Sequence, residues 1–148
     1  MSQTDPSPTA AALPERCVIV VDAALPPGLA ANAAAVVALT VGQRHPGLVG
    51  EPLVDASGRT HPGLIPIGIA VLGASQEELA AVRQKALAST ECDVIDFPVQ
   101  GQQTTNYAAF REAVAGVPAE ALRYVAVGFV GERKPLGKVV SKLGLLGQ

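Results

Sequence analysis

The sequence predicts a layered α/β domain, and three observations carry that prediction. Four short apolar or β-branched runs recur along the chain. Stretches with helical spacing of apolar residues separate them. Proline and glycine punctuate the junctions. The order β-α-(hairpin)-β-α-β-α-β-α implies a largely parallel or mixed sheet with helices packed on it.

Residues 1–14, MSQTDPSPTAAALP, offer no apolar periodicity and read as a disordered tail. A single α/β domain is expected from residue 15 to residue 148. It opens with Arg16 to Asp22, RCVIVVD, a run suited to a strand buried on both faces. Pro27 suits the first turn of the next helix. That helix, Leu29 to Arg44, is apolar almost all round, and Pro46-Gly47 ends it.

Leu53-Val54 and Thr60-His61 flank Asp55-Ala56-Ser57-Gly58, a good hairpin turn. Ile67 to Leu72 is the second expected core strand. Ser75 and Glu78 form a capping box that starts a helix running to about Ala88. Cys92 to Phe97 is the third strand, and Gly101 to Asn106 is a polar loop with a threonine cap. A helix from Tyr107 to Ala115 puts Tyr107, Phe110 and Val114 on one face. Tyr124 to Val130 is the fourth strand. GERKP follows as a loop, and a last helix spans Leu136 to Leu143 with Pro135 at its start.

Composition narrows the functional classes. Of 148 residues, 49% are hydrophobic and 16% charged, too apolar for a disordered chain. Aromatics are 3%, so Ala, Val, Leu and Ile must build the core. The net charge of -2 gives no basic surplus to neutralise phosphates, so nucleic acid is not expected as a partner. No stretch reaches the roughly 18 apolar residues that span a bilayer, so no membrane partner is expected. Without a signal-peptide pattern, the expected location is cytoplasmic. Cys17 and Cys92 sit in apolar runs, lack metal-ligand spacing, and read as buried thiols.

No phosphate-loop or dinucleotide glycine motif occurs, so no cofactor is implied. No serine stands in a nucleophile-elbow setting. Two histidines without zinc spacing give no reason to expect a metal.

The chemistry-bearing candidates are few. Asp22 ends the first strand, where open α/β sheets place ligands; it would orient an amine or a water, or cap a backbone N–H. Asn32 is an amide on an apolar helix near that end, suited to a ligand or to a neighbouring loop. His45 and His61 each precede Pro-Gly; a turn histidine is usually solvated, and His61 is the better candidate general base. Arg133 and Lys134, carried on a loop, would meet an anion. Lys134, Lys138 and Lys142 at i, i+4 spacing would share one helical face, an anion site or a solvated basic face.

Two stretches carry a resemblance. One is RCVIVVD followed by Pro27-Gly28-Leu29-Ala30-Ala31-Asn32-Ala33-Ala34-Ala35. The other is Ala126 to Lys134, AVGFVGERK, leading into Val139-Val140-Ser141-Lys142-Leu143. With His61-Pro62-Gly63 they resemble the bacterial family catalogued as Domain of Unknown Function 2000, over nearly all of the chain from Arg16 onward. That family is similar to peptidyl-tRNA hydrolase II, which implies a three-layer α/β/α sandwich with a four-stranded mixed sheet. Ala30-Ala31 match the hydrolase pattern, and Asn32 stands where it has glutamine. Its lysine position is Gly28 and its histidine position is about Ala35. The Asp and Thr of its later loop are not matched, and Thr104 and Thr105 are only nearby candidates. The resemblance therefore implies the fold and not the activity.

Two readings follow. In the first, a small enzyme acts on a polar acyl- or aminoacyl-type substrate, with Asp22 and His61 catalytic and Asn32, Arg133 and Lys134 binding. It requires the first and fourth strands to run in the same direction, so that Asp22 and Lys134 open on one crevice. In the second, a non-catalytic ligand-binding or interaction domain has kept the fold and lost the chemistry. Both take a small-molecule ligand as partner, and a homodimer stays open.

Overall fold

A computed structural model of the chain describes residues 13–89 and 91–148. Residues 1–12, and with them most of the expected tail, lie outside the described residues. Strand β1 (Arg16–Asp22) leads into helix α1 (Pro27–Arg44). A 3-10 turn over Pro46–Leu48 precedes a two-residue hairpin, β2 (Leu53–Val54) and β3 (Thr60–His61). Strand β4 (Ala70–Ala74), helix α2 (Gln76–Ser89) and strand β5 (Cys92–Pro98) follow. A 3-10 turn over Val99–Gln102 and helix α3 (Tyr107–Ala115) come next. A further 3-10 turn over Ala119–Ala121, strand β6 (Tyr124–Gly131) and helix α4 (Arg133–Val139) complete the order.

The main sheet has four strands in the order β4-β1-β6-β5 and is mixed. Strand β4 pairs parallel to β1, whereas β6 runs antiparallel to both β1 and β5. The period-2 alternation of β1 divides the core into two layers. Cys17, Ile19 and Val21 face α1, together with Ala33, Val37 and Val41. Val18 and Val20 face the other way, onto Leu79, Val82 and Ala86 of α2 and Leu136 and Val139 of α4. Helices thus cover both faces of the sheet, an arrangement consistent with a three-layer sandwich.

Small residues set the spacing. A Cβ at Gly128 would lie 2.6 Å from Val37 Cγ1, so glycine lets α1 approach the centre of β6. The β4 edge is covered by the chain's last residues. Leu146 N–H donates to Val71 O, Gly73 N–H donates to Gly144 O, and Leu72 bridges Leu145. Such cover removes an exposed strand edge.

Three boundaries differ from expectation. Strand β4 begins at Ala70 rather than Ile67, because Gly68 adopts a positive φ of 74° that breaks the extended run. Asn106, not a threonine, caps α3 by accepting from Ala109 N–H at 2.8 Å. Helix α4 starts at Arg133, three residues early, and ends at Val139. Its first free N–H, on Arg133, donates to Glu15 Oε1 at 2.9 Å. Lys142 therefore lies beyond the helix, and the expected lysine face ends at Lys138.

Candidate functional site

Asp22 closes β1 with each of its carboxylate oxygens hydrogen-bonded. Its Oδ1 accepts from Ala24 N–H at 2.9 Å, and its Oδ2 accepts from Gln76 Nε2 at 2.9 Å. Gln76 is the first residue of α2, held there by the Ser75–Glu78 capping box. The same Nε2 donates to Tyr124 O at 2.7 Å. Asp22 thus ties the ends of β1 and β4 to the start of β6.

Asn32, one turn into α1, is exposed, and its Oδ1 accepts from Gln102 Nε2 at 3.2 Å. Gln102 also donates to Leu29 O at 2.9 Å, which pins the Val99–Gln102 turn on α1. Strand β5 runs in the direction of β1, so this turn rises from the same end of the sheet that carries Asp22. The structure brings Asp22 and Asn32 to one end, each with its own glutamine.

Beyond that turn lie two adjoining clefts that share Tyr107 and Phe110. One, about 330 Å³, is lined by Pro98, Tyr107, Phe110, Arg111, Val114 and Ala115. The other, about 230 Å³, is lined by Gly101, Thr104, Thr105 and Asn106 besides the two rings. Tyr107 is 73% exposed and meets Phe110 edge to face, with ring centroids 5.9 Å apart at 89°. Phe110 rests in turn on Phe97 at 6.2 Å. Gly101 is required beneath them, because a Cβ there would overlap Phe97 and come within 3.0 Å of Phe110. Thr104 donates its hydroxyl to Gln100 O at 2.9 Å and stays half-buried. Arg111 is exposed and has no ion-pair partner among the described residues.

Lys134 and Arg133 lie elsewhere. Because β6 is antiparallel to β1, Gly131 pairs with Arg16 and α4 begins at the end of the sheet opposite Asp22. The length of β1 separates the two ends by about 20 Å. The expected shared pocket of Asp22, Asn32 and Lys134 therefore does not form. Arg133 and Lys134 are also the first two residues of α4 rather than loop residues, and the Arg133 guanidinium reaches Glu15 O at 3.4 Å.

His61 sits on the exposed hairpin, where its Nε2 pairs with Asp55 Oδ2 at 2.9 Å. The His61 bond, with the Arg59 and Ser57 backbone N–H groups, holds Asp55 below its ordinary pKa. Among the described residues, no hydrogen bond or ion pair joins this pair to Asp22 or Asn32. His45 instead joins Arg44 on Asp93, at 2.8 Å and 2.6 Å. The Arg44 hydrogen bond is the main cause that lowers the Asp93 pKa. Burial pushes the Cys17 thiol up to about 11, which suits an inert core residue.

Sequence reasoning missed Gln76, Gln102 and Arg111. Gln76 was visible as the residue after the capping-box serine. Gln102 and Arg111 gain meaning only once the turn folds over α1. Among the described residues, no group of three or more His, Cys, Asp or Glu side chains is placed to hold a metal ion. No helix among them is long and apolar enough to cross a membrane.

Comparison with known proteins gives a family and a fold. No curated protein matches the chain. A solved structure of Atu0240, a protein of unknown function from Agrobacterium tumefaciens strain C58, superposes with a TM-score of 0.80 at 19% identity. The match covers 88% of this chain and 96% of that one, and at that identity it shows the shared fold alone. Residues 15–147 match the family described as Protein of unknown function (DUF2000), and the chain belongs to that family.

Proposed function

We propose that this protein is a non-catalytic ligand-binding domain that takes a small, flat, apolar molecule bearing an acidic group. The observation that carries the reading is the double cleft around Tyr107 and Phe110. An exposed ring stands between an apolar hollow that includes Arg111, not ion-paired among the described residues, and a polar annex of Thr104, Thr105 and Asn106. Ligand sites are typically apolar concavities with a few placed polar groups, and 330 Å³ falls at the small end of that range. An aromatic body would lie against Tyr107 and Phe110 while its carboxylate meets the Arg111 fork. The threonines would hold a polar substituent.

The state of the acid-base candidates supports binding over catalysis. Both Asp22 oxygens are committed to holding the fold. His61 is committed to Asp55 on the hairpin. A general base must reach the proton it removes, and each of these two groups is hydrogen-bonded to partners of its own. The mixed sheet and the Ala30-Ala31-Asn32 segment support a peptidyl-tRNA hydrolase II-like ancestry without its reaction. An NMR titration with 2-naphthoate tests the reading: Tyr107, Phe110 and Arg111 resonances should shift together and saturate. Shifts that spread over the surface without saturating would refute it.

A further inference from the structure

A separate cleft, of about 440 Å³, opens between the first turn of α2 and the segment entering β6. Its lining includes Gln76, Glu77, Glu120, Leu122, Arg123 and Tyr124. From its charge pattern we propose that this cleft binds a free α-amino acid as its zwitterion. The site is separate from the aromatic cleft on α3 and does not depend on it.

Gln76 supplies the fixed point. Its two neighbours, Asp22 Oδ2 and Tyr124 O, are both acceptors, so the amide nitrogen must face them and both its hydrogens are spent. What Gln76 has left for the cleft is the acceptor Oε1. Of the lining residues, Tyr124 is packed from behind by Arg83, which lies 4.8 Å over its ring and bonds Asp96 at 2.9 Å. That network uses its own charges internally.

The charges at the cleft rim are not used internally. Glu77 and Glu120 are exposed carboxylates, and Arg123 is an exposed guanidinium. None of the three is ion-paired among the described residues, although they line one cleft. An ammonium donates three hydrogen bonds, and Gln76 Oε1 with the two glutamates offers three acceptors. A carboxylate suits the arginine fork. Ala121 and Leu122 give the side chain an apolar wall.

Calorimetric titration of the full chain with L-leucine, L-leucinamide and N-acetyl-L-leucine tests this. Leucine should bind, and blocking either end should weaken binding about tenfold or more, the loss of one charge-assisted contact. Arg123→Gln should weaken leucine about tenfold and leave leucinamide unchanged. Glu120→Gln should weaken both. These positions are exposed, so unchanged melting temperatures should accompany the losses. Equal affinity for leucine and N-acetyl-leucine would overturn the proposal. So would the absence of saturable leucine binding up to about 10 mM, where even a weak site would register.

Discussion

Asp22 and Gln76 meet at 2.9 Å across 54 residues of sequence, and their contact joins the ends of the two parallel strands. Gln76→Ala would strip a donor from both Asp22 Oδ2 and Tyr124 O. Half-buried acceptors left unpaired cost about 1–3 kcal/mol, which urea denaturation at neutral pH should register. Gln76→Glu should be worse at neutral pH, because it sets a carboxylate against a carboxylate. That excess loss should shrink as the pH falls and one of the pair takes a proton. An Asp22 that mattered only as a catalytic base would leave stability unchanged in both variants.

The Arg44–Asp93–His45 cluster predicts a pH dependence. The folded state holds the Asp93 carboxyl below its ordinary pKa, chiefly through the Arg44 hydrogen bond. A depressed carboxyl pKa contributes stability above the unfolded value, near 3.9, and loses it as pH falls through the folded value. Asp93→Asn should therefore be less stable than wild type from about pH 5 to 7, and the gap should narrow below about pH 4. Thermal melts across that range check the sign. A gap that widens toward low pH would rule out the ion pair as its source.

At Gly128 the expected effect is steric. An alanine Cβ would lie 2.6 Å from Val37 Cγ1, in the layer between β6 and α1. Overpacking of this kind costs about 1–3 kcal/mol. Gly128→Ala should lower the melting temperature, and adding Val37→Ala should restore part of it. Additive losses in the double variant would show that the two residues do not press on each other.

Much of this fold was legible in the chain, and the reasons are local. RCVIVVD reads as a strand buried on both faces because it is short and β-branched, and the Ser75–Glu78 capping box marks the start of α2. What failed depended on strand direction and long-range contacts. Nothing within AVGFVG tells whether β6 runs with or against β1, so Lys134 was expected beside Asp22 and lies at the other end. The early start of α4 depends on Glu15, 118 residues away, meeting the Arg133 N–H. The aromatic cleft was half legible. Tyr107, Phe110 and Val114 were read as one helical face, but the sequence does not say that Tyr107 stays 73% exposed with Arg111 beside it.

Calorimetry with 2-naphthoate and its neutral counterpart 2-naphthylmethanol tests the binding role most directly. The two probes share a ring system and differ in the charge that Arg111 would read. Wild type should bind the acid about tenfold more tightly than the alcohol, a difference worth one charge-assisted contact. Arg111→Gln should bring the acid down to the alcohol, and Tyr107→Ala should weaken both. If the acid shows no preference over the alcohol, or keeps its preference in Arg111→Gln, the cleft around Tyr107 is not a site for acidic aromatic molecules.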